Sequence, residues 1–270
     1  MKNYLIAVDL DNTLVHDFDK YDKLSFELLK TLSKDNKVVI ATGRPYRSSK
    51  YFYDLLELNT PIINYNGALV HHPYDANFIT HKVTVDKELI FELIQDNKDI
   101  IHNIFCEVGD NIFLYKDTNE VIPYLHQDGG FLTIGELKDI LKENPNGAIV
   151  MTNPGTEKIL EDYIKTKYKN TLCIRYWYVE NLGVAEIYSP LTSKGNALKI
   201  VSNYYNIPAE KIIAIGDGHN DIDMLEFAGI KVAMANSHPD LLKVANYITD
   251  TVHNNGVYKF LAEFKKRVSD

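Results

Sequence analysis

Four short segments carry residue types suited to moving a phosphoryl group: Asp9-Leu10-Asp11-Asn12-Thr13, Thr42-Gly43-Arg44, Ser193-Lys194-Gly195 and Gly216-Asp217-Gly218-His219-Asn220-Asp221. The first, second and fourth each follow a short apolar run, at residues 4–8, 38–41 and 212–215. Strand ends of this kind are where open α/β sheets place their ligands. Asp9 and Asp11 emerge from a buried strand into a turn, a costly place for paired negative charge unless a cation compensates it. Mg²⁺ would do so, because it prefers oxygen ligands and is commonly held by one or two carboxylates plus a substrate phosphate. Asp217, likewise at the end of an apolar strand, is the natural third carboxylate. Asn12 suits a turn that needs a positive φ.

The other segments add anion-binding parts. Thr42 offers a hydroxyl, and the backbone around Gly43 offers N–H groups. Lys194 begins a helix that Ser193 caps, so its ammonium and the positive helix end can face the same anion. Taken singly, an Asp-x-Asp, a Thr-Gly or a Ser-Lys-Gly is an ordinary loop or cap signal. All four in this order, each at an element terminus, point to one site.

The elements that must position these residues follow an alternating grammar. Residues 4–8 read as a strand; Leu24, Leu28, Leu29 and Leu32 recur at helical spacing; residues 38–41 form a second strand; Tyr51, Phe52, Leu55 and Leu56 mark a second helix before Ile62-Ile63. That pattern predicts an α/β fold with a doubly wound, Rossmann-like parallel sheet. Asn66-Gly67, with alternating segments at 68–71 and 78–82, predicts a hairpin at the sheet's margin.

From about Val83 the pattern becomes α+β. A helix carrying Leu89, Ile90, Leu93 and Ile94 precedes an antiparallel ribbon at 104–108 and 112–115, turned by Gly109-Asp110-Asn111. A stretch with little periodicity follows, then strands at 148–151, 172–179 and 184–188 and a helix with Ile159, Leu160, Tyr163 and Ile164. From Lys194 the αβ alternation returns, with strands at 212–215, 232–234 and Tyr247-Ile248. The expected organisation is a catalytic core at 1–83 and 190–270 around an inserted α+β cap domain at 84–189. Both connections of the insert lie near the proposed site, so it is expected to act as a lid that sets which substrate is accepted.

Composition limits the function classes. A chain of 270 residues with 45% hydrophobic content can bury a substantial core, and its net charge of −8 argues against a nucleic-acid partner. No run approaches the ~20 apolar residues of a membrane span, and Met1-Lys2-Asn3 leads into a strand without a secretory signal. A cytoplasmic chain with no membrane partner is expected; its oligomeric state is not legible. Cys106 and Cys173, among β-branched and aromatic residues, are read as buried structural thiols. Most of the 18 tyrosines fall at positions that look core-facing.

These segments, in this order and strand context with a large insert between the second and third, resemble the haloacid dehalogenase-like superfamily, and within it the Cof-type sugar-phosphatase branch, over essentially the whole chain. The resemblance implies that Asp9 is a nucleophile that becomes an aspartyl-phosphate and that Asp11 is the general acid/base. It implies that Asp217 joins Asp9 and the backbone carbonyl of Asp11 on Mg²⁺, and that Thr42, Gly43, Lys194, Asn220 and the Leu10 backbone amide hold the phosphate. The family commonly has Gly where this chain has Asn12, a mild departure.

Asp221 is expected either to orient this shell or simply to start the helix at 222–228. His219 is given no role, since the carboxylates account for the metal. In the insert, Arg175-Tyr176-Trp177-Tyr178 with Glu186 could form a specificity face or a packing core; regular alternation would put Arg175 and Trp177 on one face and Tyr176 and Tyr178 on the other. The expected function is a Mg²⁺-dependent phosphatase of small phosphorylated metabolites, sugar phosphates first and phosphorylated cofactors second. The alternatives are a phosphomutase of the same superfamily and a non-enzymatic phosphometabolite-binding protein; retention of Asp9, Asp11 and Lys194 weighs against the last.

Overall fold

The computed structural model describes residues 1–17, 20–179 and 182–268. Its chain divides into two compact units, one of Met1–Arg44, Ser49–His81 and Ser193–Asp270, the other of Pro45–Ser48 and Lys82–Thr192.

The first unit is built on a five-stranded parallel sheet in the spatial order Tyr247–Ile248, Ile230–Ala233, Ile212–Gly216, Leu5–Val8, Lys37–Ile40. A strand buried on both faces must be apolar throughout. Leu5, Ile6, Ala7 and Val8 meet that requirement and are wholly buried. Leu5–Val8 is central, with Ile6 paired to Ile213 on one side and Val38 on the other. Leu5, Ala7, Val39, Ile212 and Ala214 share one apolar cluster with Ala197, Leu198 and Val201 of the Lys194–Tyr205 helix and with Met224 and Leu225 of the Ile222–Phe227 helix. The alternate residues Ile6, Val8, Val38, Ile40, Ile213 and Ile215 are equally buried, so both faces are covered as a doubly wound sheet requires.

Helix ends fall where the sequence supplies caps. Asp22 accepts the Ser25 amide at the start of Lys23–Leu32, and Ser193 accepts the Asn196 amide at the start of Lys194–Tyr205, which ends on left-handed Asn206. At the sheet's margin Ala41 bridges to Ile63, and Ile62–Asn64 pairs antiparallel with Leu69–His71 across the Tyr65–Gly67 turn. The Asn66-Gly67 pair therefore joins those two strands, and His81–Lys82 adds a third beside them.

The second unit carries a six-stranded sheet in the order Phe131–Ile134, Asn111–Leu114, Ile101–Val108, Ala148–Thr152, Gly183–Tyr188, Cys173–Val179. One face packs Ile104, Cys106, Val150, Ala185 and Ile187 against Ile90, Leu93, Leu160 and Ile164 of the Lys87–Asp96 and Glu157–Lys167 helices. Phe131–Ile134 runs parallel to Asn111–Leu114 in the stretch that lacked periodicity. Its pattern was silent because this edge strand is barely covered: Phe131 is 70% exposed.

Three expectations need correction. The register shifts between Tyr176 and Tyr178, which pair with Ala185 and Val184, so the alternation assumed for Arg175 to Tyr178 is interrupted at Trp177. Cys106 is buried but Cys173 is only half-buried; both are free, on strands separated by two others. Of the tyrosines whose side chains are described, only Tyr53, Tyr65 and Tyr168 are buried. Several others keep the hydroxyl outward on a carboxylate, as Tyr74 does on Asp54 and Tyr204 on Asp75. No helix among the described residues is long and apolar enough to cross a membrane.

Candidate active site

The site lies at the carboxyl ends of the Leu5–Val8 and Ile212–Gly216 strands. The Asp9 amide donates to Ile215 O at 3.0 Å, extending the parallel ladder by one bond and fixing where the Asp9 side chain leaves the sheet. The next turn closes on Leu10 O, which accepts the amides of Thr13, Leu14 and Val15, with Asn12 at φ 58°. The Leu10 side chain is wholly buried and anchors that turn. At the neighbouring strand end Asp221 Oδ2 accepts the amides of Asp217 (3.1 Å) and Gly218 (2.9 Å), tying the loop to itself. A Cβ at Gly216 would lie 2.5 Å from that carboxyl group, so only glycine fits there.

Lys194 is buried between two carboxylates, 2.7 Å from Asp9 Oδ1 and 2.6 Å from Asp221 Oδ1. Carboxylate oxygens of Asp9, Asp217 and Asp221 lie within 4.8 Å of one another, and Thr13 Oγ1 donates to Asp217 Oδ1 at 2.9 Å. Burial pushes the Asp9 carboxyl well above the usual range against the pull of Lys194, with Asp221 and Asp217 adding repulsion. Burial, then Asp221, push Asp217 up to about 7. Burial disfavours the Lys194 ammonium, yet Asp221 and Asp9 outweigh it and hold that group above the usual lysine range. When all three are ionised, these carboxylates face one ammonium among the described residues, a deficit of two positive charges. An all-oxygen donor set with that deficit fits a hard divalent cation. Asp221 already spends both oxygens on Lys194 and the loop amides, whereas Asp9 keeps Oδ2 and Asp217 keeps Oδ2 beyond the bonds just described.

Asp11 stands apart from that acidic group. Its two oxygens take Arg44 Nε at 2.9 Å and Nη2 at 2.5 Å. Thr42 is wholly buried and its Oγ1 accepts the Arg44 amide at 3.1 Å, which leaves the hydroxyl proton to be donated elsewhere. Asn220 Nδ2 donates to Asn66 Oδ1 at 2.8 Å, and a Cβ at Gly43 would lie 3.2 Å from the same oxygen. Hence Asp9, Asp217, Asp221 and Lys194 converge, while Thr42, Gly43 and Asn220 are linked through Arg44 and Asn66. His219 is exposed and belongs to no metal-ligating group among the described residues. Three residues gained a place that the sequence did not signal: Thr13 on Asp217, Arg44 on Asp11, and Asn66 on Asn220. Arg44 and Thr13 sat inside the quoted motifs, but neighbouring carboxylates some 30 and 200 positions away are not visible in a linear pattern.

In the second unit Arg175 and Glu186 are cross-strand partners at 2.7 Å, and the Arg175 guanidinium lies 4.9 Å from the Tyr188 ring centre. Trp177, at the register shift, is 44% exposed.

Over residues 6–261 the chain matches the haloacid dehalogenase-like hydrolase family. The protein belongs to that family, in its Cof-type branch. This hydrolase is 34% identical over 265 residues to the 5-amino-6-(5-phospho-D-ribitylamino)uracil phosphatase YitU of Bacillus subtilis, covering 97% of the chain and 98% of the relative. It is 26% identical over 286 residues to the phosphatase YwpJ of the same organism, with 94% and 96% covered. Among solved structures it shares its fold with a haloacid dehalogenase-like hydrolase from Bacteroides thetaiotaomicron (TM-score 0.83, 23% identity, 97% and 100% covered). It shares it equally with TM0651 from Thermotoga maritima (TM-score 0.83, 24% identity, 97% of each covered). The named relatives are phosphatases, and this hydrolase is accordingly a phosphoric monoester hydrolase.

Proposed function

We propose that this hydrolase is a Mg²⁺-dependent phosphatase of small phosphorylated metabolites, sugar phosphates foremost, working through an aspartyl-phosphate on Asp9. The observation that carries this reading is the buried Lys194 ammonium, shared by Asp9 and Asp221 in a site still short of positive charge. Asp9, Asp217 and the Asp11 carbonyl oxygen are the groups assigned to Mg²⁺, which when bound offsets charge on the transferring phosphoryl group. Asp221 is assigned to orienting Lys194 and the 217–218 loop rather than to the metal. Asp9 attacks phosphorus, splitting hydrolysis into two in-line transfers. Asp11 protonates the departing alkoxide and then takes a proton from the attacking water. Lys194, Asn220, the Thr42 hydroxyl and the amides of Leu10 and Gly43 hold the phosphoryl oxygens.

The core is assigned residues 1–83 and 190–270, and the cap, residues 84–189, is assigned the choice of ester, with Arg175, Trp177 and Glu186 as its selective side chains. A charged pair with an aromatic neighbour suits a polyol or a ring-bearing ester. The YitU substrate named above has both, a phosphorylated ribityl chain on a uracil ring. The test is phosphate release from a panel of sugar phosphates, that ribitylaminouracil phosphate, flavin mononucleotide and pyridoxal phosphate, with Mg²⁺ or with excess chelator. Release from sugar phosphates that stops on chelation supports the reading. Isomer formed without release would make the protein a mutase, and full activity in chelator would refute metal dependence.

A further inference from the structure

Tyr65, Asn66 and Gly67 are three consecutive residues with left-handed backbone, at φ 49°, 54° and 98°. For Tyr and Asn such a conformation costs free energy, and it persists only where surrounding contacts determine it. Here contacts from each of the three residues reach the segments assigned to phosphate. The Tyr65 amide donates to Arg44 O at 3.2 Å and the Asn66 amide to Thr42 O at 3.0 Å. Asn66, 4% exposed, accepts the Asn220 side-chain amide on Oδ1 at 2.8 Å. Gly67 lies so close to Ser193 that a Cβ there would stand 2.2 Å from its carbonyl oxygen and 3.1 Å from the Lys194 backbone nitrogen. A turn that joins two short marginal strands could be built with two left-handed residues and no polar side chain. This one instead touches Thr42 to Arg44, Ser193 to Lys194 and Asn220 at once.

We infer that Asn66 is a positioning residue: by taking one N–H of Asn220, it fixes the orientation of that amide so that the other N–H is presented to a phosphoryl oxygen. The inference rests on the phosphatase reading, in which Asn220 is a phosphate ligand. Asn66 is assigned no contact with substrate in this reading. It acts through Asn220, and the strained turn keeps its side chain buried in register with the second strand end. A turn retained for packing alone would make the same backbone contacts, so the test must separate the side chain from the fold.

Asn66→Gly does so, because glycine accepts φ 54° without strain while losing the Oδ1 acceptor. Inorganic phosphate binding in Mg²⁺ is measured by titration calorimetry for the wild type, Asn66→Gly, Asn220→Ala and the double variant, with melting temperatures alongside. Hydrogen bonds to a charged group are worth enough that each single variant should bind phosphate about 10-fold more weakly. The double variant should be no weaker than Asn220→Ala, and Asn66→Gly should melt at or above the wild-type temperature. Losses that multiply in the double variant, or unchanged phosphate binding in Asn66→Gly, would overturn the proposal. So would a melting temperature lowered by more than about 4 °C, which would make Asn66 a fold residue. If the wild-type protein itself fails to bind phosphate in Mg²⁺, the phosphate-site reading falls first and this inference with it.

Discussion

Arg44 grips both carboxylate oxygens of Asp11, through Nε at 2.9 Å and Nη2 at 2.5 Å. On the proposed mechanism, Asp11 exchanges this ion pair for a proton before it protonates an alkoxide. Asp11→Asn is expected to lower kcat on a sugar phosphate by roughly 10²- to 10⁴-fold, the usual contribution of a positioned acid. The loss on an activated aryl ester should be far smaller, since that leaving group needs no proton. Adding Arg44→Met to Asp11→Asn should cost little more on the sugar phosphate, because both act through one carboxylate. A full multiplicative loss in the pair, measured by steady-state kinetics on both esters, would show that Arg44 works elsewhere.

Asp9→Asn should abolish turnover on every ester while leaving the fold intact, the change being nearly isosteric at a strand end. Purified Asp9→Asn protein that still turns over substrate would remove Asp9 as nucleophile.

Among the described residues Lys194 is the one ammonium paired with the buried Asp9 and Asp221. Removing one partner of a buried ion pair strands the other charges, typically at about 3–5 kcal/mol. Lys194→Met should therefore be destabilised by that order in chelator, and Mg²⁺ should restore part of the loss. Denaturant unfolding with and without the metal reads both effects; a variant as stable as the wild type in chelator would contradict the charge deficit described here.

The pH dependence follows from Asp217, which burial and Asp221 push up to about 7. A carboxyl raised in the folded state binds more protons folded than unfolded, so its contribution to stability is fully present below about 4 and is lost as pH rises towards 7. Metal binding needs the deprotonated form. The rise in melting temperature given by saturating Mg²⁺ should accordingly grow from pH 5 to pH 8, and Asp217→Asn should flatten that profile. A Mg²⁺ increment independent of pH in the wild type would be inconsistent with Asp217 as a ligand.

Arg175 and Glu186 form a mostly buried cross-strand pair in the inserted unit. Glu186→Gln and Arg175→Met should change the ranking of kcat/KM among natural esters while sparing a small aryl phosphate. Uniform depression of all substrates would make the pair a packing feature.

Much of this was legible in the sequence because it is local. Uninterrupted apolar runs such as Leu5 to Val8 declare a strand buried on both faces, and Ser193 declares a helix start. What stayed hidden depends on partners far along the chain. Nothing near Arg44 says that it will close on Asp11, nothing near Thr13 points to Asp217, and Asn66 beside Gly67 reads as a turn signal until Asn220 is seen against it. The Trp177 irregularity was hidden for another reason: a register shift is set by the pairing strand, and alternation within one strand cannot announce it.

The central position of Leu5–Val8, with one neighbour at Lys37–Ile40 and the other at Ile212–Gly216, bears on how the protein is made. A ribosome adding 5–20 residues per second needs roughly 10–40 s to travel from the first of these strands to the last. For most of that interval the nascent chain carries Leu5 to Val8 with at least one open edge, and Asp9 without the lysine that will answer it. The site is therefore incomplete until Lys194 and the Ile212–Gly216 strand have been made, and until then the apolar first strand keeps an edge on which other chains can pair.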